Sequence, residues 1–148
     1  MLELLIVLTV SGIIYAIAIP QIGNMRALSA LRADRLELSS AFAFARSAAL
    51  QKGKTATLTL SGNQATVSVN SGLNGTPVQI YGPIKFDQTL ASTLSVIGSA
   101  PTSISFDARG LVTPVPNGVT KYRFVNRTFA DTLCVSASGR ILPRGCQL

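Results

Sequence analysis

The sequence predicts an α+β fold: one long N-terminal α-helix, half of it membrane-embedded and half amphipathic, packed on a small antiparallel β-sheet domain. Three observations predict it. Leu4 to Ile19 (LLIVLTVSGIIYAIAI) holds no charged residue. Between Arg26 and Lys52 apolar residues recur near steps of three and four, the period of a helix with one buried face. From Thr55 onward the chain breaks into short segments that alternate at period two between turns rich in Gly, Pro, Asn and Ser. One helix followed by a run of strands is the α+β order.

The uncharged run continues to Met25, which supplies the roughly 20 residues needed to cross a hydrocarbon core about 30 Å thick. Glu3 stands at its head. A carboxylate at the centre of a membrane helix costs about 2.5–3.5 kcal/mol, so Glu3 calls for a partner or for shallow placement. The dipole of the first helical turn also favours an acid there. Gly12, Ala16, Ala18 and Pro20 are expected to let neighbouring helices approach closely, Pro20 removing one backbone hydrogen bond as well, although Gly and Pro are also simply common in membrane helices. A cleaved signal is the competing use of such a segment, and Ala16-Ile17-Ala18 has the right pattern. The opening Met1-Leu2-Glu3 lacks the positive n-region, however, and Pro20 follows too closely.

After Arg26 the apolar stripe is Leu28, Leu31, Leu38, Phe42, Ala45 and Ala49, with Arg32, Arg35 and Arg46 mostly off it. Lys52 and Gly53 give the cation and the stop that end a helix. Residues 1–25 are therefore expected as a membrane-inserted half-helix. Residues 26–148 are expected as a globular domain, made of amphipathic helix 26–52 and β domain 53–148.

Thr55 to Leu60 and Gln64 to Val69 form the clearest hairpin, turning at Ser61-Gly62-Asn63. Val78 to Tyr81 and Ile84 to Phe86 read as two strands parted by Gly82-Pro83, and Thr93 to Ile97 as another. Ser103 to Asp107 and Leu111 to Thr113 flank Ala108-Arg109-Gly110 as a second hairpin. Thr120 to Asn126 and Thr132 to Ser136 are the last full strands, with Ser138-Gly139 turning the chain toward Arg140-Ile141-Leu142. If the first of these runs on to Arg127, Lys121, Arg123 and Arg127 share one face while Tyr122 and Phe124 take the other.

At 148 residues with 12 Gly and 7 Pro, the chain has room for one small domain beyond its first helix. Cys134 and Cys146 suggest a disulfide in an oxidising compartment such as a periplasm or the cell exterior. Zinc is the rival, but two thiols and no histidine fall short of the usual four ligands. The absence of histidine, six scattered acids and the lack of a nucleophile or Gly-rich phosphate motif speak against an enzyme and against any cofactor. The net charge is +7, and from Arg109 onward six Lys or Arg face only Asp131. Such a basic end fits phosphate binding, a solvated sheet face, or a patch that meets acidic groups on another subunit.

Met1 to Pro20 (MLELLIVLTVSGIIYAIAIP) resembles the N-terminal segment of type IV pilins and pseudopilins. Leu36 to Gly53 (LELSSAFAFARSAALQKG), ISFDARG and LCVSASGRILPRGC are similar to the landmarks of the GspH/FimT branch. The resemblance implies a minor pilin or pseudopilin of the inner membrane, polymerised with other pilins into a helical filament. It implies that Glu3 pairs with the N-terminal amine of a neighbouring subunit, and that the helix loosens near Pro20. It also implies a short basic leader cut by a prepilin peptidase. None precedes Met1 here: either the leader lies upstream, with Met1 where the family has an apolar residue, or processing differs, and the first is the expectation. Some FimT-like pilins bind DNA through a C-terminal Gly-Arg-x-Arg motif. This chain has Gly139-Arg140 and then Arg144, half of that motif, so DNA uptake through Arg140 and Arg144 with Lys121, Arg123 and Arg127 is the alternative expectation.

Overall fold

The computed structural model of the chain describes residues 2–70, 75–98, 100–113, 118–142 and 146. Residues 71–74 and 114–117, together with Pro143 and Arg144, lie outside the described residues.

Helix α1 spans Leu2–Lys52 and continues through Pro20 without a break. At about 1.5 Å per residue it is roughly 77 Å long, far longer than the domain it enters. Its second half buries Ala27, Leu31, Asp34, Leu38, Ala41, Phe42, Ala45, Ala48 and Ala49. The stripe runs through Ala27, not Leu28 as expected: the two positions are about 100° apart around the helix, and Leu28 turns outward. The end is closed as its residues predict. Gly53 takes φ +60°, and the Lys54 N–H reaches back to the Ala49 carbonyl at 3.3 Å, satisfying an acceptor that the helix leaves open.

The strands are β1 (Ala56–Ser61), β2 (Gln64–Asn70), β3 (Pro77–Lys85), β4 (Thr93–Ile97), β5 (Ser103–Phe106), β6 (Val112–Thr113), β7 (Thr120–Asn126), β8 (Phe129–Val135) and β9 (Ile141–Leu142). A short helix α2, Phe86–Leu90, precedes β4. They form two antiparallel sheets, ordered β3-β2-β1-β5-β6 and β4-β7-β8-β9, and α1 packs on both. Period-two alternation gives the buried face of each strand but not the sheet it joins.

Two expectations change. Val78 to Tyr81 and Ile84 to Lys85 belong to one strand, β3, and Phe86, expected at the end of the second strand, opens α2. Strand β3 is an edge strand paired only with β2, so the missing N–H of Pro83 can face outward, and the register shift between Ala65 and Val67 absorbs Gly82. Glycine is required there, since a Cβ would stand 2.7 Å from the Ala65 carbonyl oxygen. Strand β8 begins at Phe129, three residues before the expected start, because it pairs with β7 along its whole length.

The core lies between α1 and the two sheets. Phe42 meets Tyr122 at 5.9 Å between ring centres, and Phe86 meets Phe124 edge-on at 5.3 Å. Losing a ring of this kind costs about 3–5 kcal/mol. The buried Tyr122 hydroxyl donates to the Pro101 carbonyl at 3.0 Å, fixing the passage from β4 to β5, and burial pushes its pKa up to about 12. Asn63, in the β1–β2 turn, ties one sheet to the other: its side-chain oxygen accepts from Leu94 N–H at 2.9 Å and its carbonyl from Phe86 N–H at 3.0 Å. In the Phe-Asp-Ala-Arg-Gly turn, Asp107 accepts from the backbone N–H groups of Leu111 and Arg109, and these bonds hold its carboxyl below the usual range. Gly110 of that turn lies against Leu50 and Arg46 near the end of α1.

Candidate functional site

Two surfaces stand out among the described residues. The first is the N-terminal half of α1, where Leu4, Leu5, Ile6, Val7, Leu8, Val10, Ile13 and Ile14 are all at least half exposed. It contains an 18-residue stretch long and apolar enough to cross a membrane, none of it buried against the rest of the protein. The polar side chains inside it are satisfied locally. Thr9 donates to the Ile6 carbonyl at 2.9 Å and Ser11 to the Val7 carbonyl at 2.8 Å, so neither demands water. The segment is a candidate membrane anchor. Glu3 is exposed in the first turn. Gly12 is exposed too, and nothing lies within 4 Å of the place its Cβ would occupy, so nothing in this chain demands a glycine there. Pro20 sits in continuous helix; the surroundings of its side chain lie outside the described residues.

The second surface is the outer side of the β4-β7-β8-β9 sheet. Lys121 and Arg123 are exposed while Tyr122 and Phe124 between and beyond them are buried, as alternation requires. Arg127 does not join them. Strand β7 stops at Asn126, which pairs with Phe129, and Arg127 opens the two-residue turn with φ +54°. Its guanidinium instead lies along α1, with Nη1 3.0 Å from where a Cβ on Gly23 would stand. Arg140 is exposed in the β8–β9 turn, its N–H donating to Ser136 Oγ at 3.1 Å and its carbonyl accepting from Ser136 N–H at 2.8 Å. Arg144 lies outside the described residues. Cys134 and Cys146 form a disulfide with a Cα–Cα distance of 5.4 Å, which ties the C-terminal segment to β8 directly opposite Lys121. Asp131, the one acid of this end, lies 3.7 Å from Arg35 of α1 and is thereby turned to the helix.

One buried group escaped the sequence reading. Asp34 is fully buried in the middle of the α1 stripe, where its spacing from Leu31 and Leu38 already placed it. Burial pushes its pKa up to about 6; the Ser92 side chain opposes this and Glu37 adds to it. Neither carboxylate oxygen has a hydrogen bond of good geometry among the described residues, although Ser92 is near enough to favour the charged form. Ser92 in turn accepts from the Asn126 amide at 3.5 Å, so the buried polar cluster links α1, the start of β4 and the end of β7.

No curated protein sequence matches this chain. Among solved structures it is similar to the type IV minor pilin FimU of Pseudomonas aeruginosa (strain PAO1) in two crystal forms. The form in space group P21 has a TM-score of 0.55 at 19% identity, over 79% of this chain and 95% of that one. The form in space group P65 has a TM-score of 0.53 at 19% identity, over 79% of this chain and 100% of that one. At that identity the likeness speaks for the fold alone: a long helix on antiparallel sheets. The sequence family described as "Type II transport protein GspH" matches residues 36–139, which run from the buried half of α1 to the turn before β9. With that match over most of its length, the chain belongs to the GspH family of pilin-like proteins.

Proposed function

We propose that this chain is a non-enzymatic structural subunit, a minor pilin or pseudopilin that assembles through α1 into the helical filament of a type IV pilus or a type II secretion pseudopilus. One observation carries the reading: helix α1 is buried against two sheets in its second half, while the described residues of its first half are mostly apolar and exposed. Apolar surface of that extent calls for lipid or for other helices. Residues 1–25 are then held in the inner membrane before assembly and by neighbouring helices after it, while residues 26–148 stand in the periplasm or outside the cell. Glu3 pairs with the N-terminal amine of an adjacent subunit, and Gly12 and Pro20 serve close helix approach. Its partners are other major and minor pilins or pseudopilins, with a prepilin peptidase acting on any leader upstream.

Fractionation of cells that make the full chain alongside their filament system tests the reading. The protein is expected in the inner membrane, resistant to alkaline extraction, and in sheared filaments together with other pilins. A chain released by alkaline extraction and absent from filaments contradicts it.

A second reading, a DNA-binding minor pilin for natural transformation, is favoured by the exposed Lys121 and Arg123 on the outer sheet face and by Arg140 in the turn beyond β8. It shares the anchor and the fold and differs in what the outer surface meets.

A further inference from the structure

The base of the globular domain carries a basic recess that neither function uses. Its wall is made by Gly23, Arg26 and Ala27 of α1, by Gln88 and Ala91 at α2, and by Asn126 and Arg127 where β7 ends and its turn begins; it encloses about 440 Å³, and among the described residues no acid lines it. Among the described residues neither the Arg26 nor the Arg127 guanidinium has an ion pair or a hydrogen bond within the protein. Arg127 is held there by two features of the backbone. It occupies the left-handed region, which few residues other than Gly, Asn and Asp enter readily. It also rests on Gly23, where a Cβ would stand 3.0 Å from Nη1 and push the guanidinium aside.

The position along α1 supplies the ligand. From Glu3 to Gly23 a helix rises about 30 Å, the thickness of the hydrocarbon layer. With α1 across a bilayer and Glu3 at one surface, Gly23 stands at the other, where lipid phosphates lie. The recess opens at that level, between the membrane and the domain. Guanidinium groups suit phosphate oxygens because their planar N–H donors can bond two at once.

We propose that Arg26 and Arg127, with Gly23 as the seat for Arg127, bind the phosphate of an anionic phospholipid where α1 leaves the bilayer. The site sets the depth and orientation of the domain on the membrane before the subunit is drawn into a filament. The proposal rests on the reading that α1 spans the membrane.

The test uses the full chain in detergent micelles, titrated with dioctanoyl phosphatidylglycerol or dioctanoyl phosphatidylcholine and read by native mass spectrometry. The wild type is expected to retain the anionic lipid in preference. Arg26→Gln and Arg127→Gln are each expected to lower the anionic-to-zwitterionic ratio roughly fivefold. Gly23→Val, which displaces Arg127 without removing it, is expected to lower it as well, whereas Arg140→Gln leaves it unchanged. Thermal unfolding of every variant checks that the fold survives. A ratio unaffected in the Arg26→Gln/Arg127→Gln double variant overturns the proposal. So does full displacement of the lipid by millimolar inorganic phosphate, or binding of labelled duplex DNA lost in the same variants with no lipid preference. Alkaline extraction from vesicles made of the two lipids separates the underlying reading: a chain that fails to insert removes the membrane span, while one that inserts but shows no lipid preference removes only this site.

Discussion

Gly139, in the turn between β8 and β9, lies against Phe106 of β5: a Cβ built on it would stand 2.9 Å from the ring Cε1 and 2.5 Å from the Val112 side chain. The turn of one sheet is thus clasped onto the core of the other. The Ser-Gly-Arg landmark, whatever Arg140 meets outside, has a structural duty at its glycine, which also takes φ +76°.

Gly139→Ala should therefore be far more damaging than most surface changes. Overpacking and left-handed strain together are worth about 2–4 kcal/mol. Gly62→Ala is the control, because that glycine has φ +59° but open space around it, and should lose only about 1 kcal/mol. Thermal unfolding of the full chain in detergent distinguishes them, and equal losses would mean that the clasp contributes nothing.

Asp34 gives the domain a pH dependence of defined sign. Its pKa rises from 3.8 to about 6 on folding, so the native state keeps a proton that the unfolded chain releases. The contribution is fully present below about pH 3.8 and is lost as pH rises through about 6, by an amount on the order of 2–3 kcal/mol. Asp34→Asn, neutral at every pH, should flatten the unfolding midpoint between pH 4 and 6 relative to wild type. An unchanged profile would show that the carboxylate is better solvated or better paired than its burial indicates.

The Cys134–Cys146 bridge closes a short loop with a sequence separation of 12. In the chain-entropy picture a loop of that size is worth about 3 kcal/mol. Cys146→Ser should lower the unfolding midpoint by roughly 10 °C for a domain of this size, and native protein should show no reactive thiol at Cys134 or Cys146. Two reactive thiols would contradict the bridge.

If the outer sheet face binds DNA, binding should be independent of sequence and steeply salt-sensitive, with a slope of about −0.9 per phosphate neutralised on duplex DNA. Arg140→Ala with Arg144→Ala should weaken it, and Lys121→Ala with Arg123→Ala should weaken it further, while the fold survives. Fluorescence anisotropy with a labelled duplex at low salt reads this directly. Absence of binding, or binding untouched by these changes, leaves the structural role alone.

Much of the fold was legible because the helix carries its own signals: an uncharged run, a stripe at helical spacing, and a Lys-Gly end. Asp34 was missed, because an acid is not expected on a buried stripe, although its spacing from Leu31 and Leu38 puts it there. Arg127 was misplaced. Its turn, Arg127-Thr128, holds neither Gly nor Pro, so alternation could be carried one residue past Asn126 onto the basic face. Strand β3 was split in reading for the opposite reason. Gly82-Pro83 looks like a terminator, yet an edge strand with one partner tolerates a missing N–H. The division into two sheets rests on contacts such as Asn63 with Leu94 and Gly139 with Phe106, which join residues far apart in the chain and leave no local pattern.

The central claim is that the exposed half of α1 drives assembly and that Glu3 sets its register. Replacing Glu3 with alanine tests it most directly, with the variant quantified in the membrane fraction and in sheared filaments from the same cells. The expected result is normal membrane insertion with incorporation reduced severalfold, and no change in unfolding of the globular domain, which lies far from this end of the helix. Incorporation of Glu3→Ala at the wild-type level would contradict the claim.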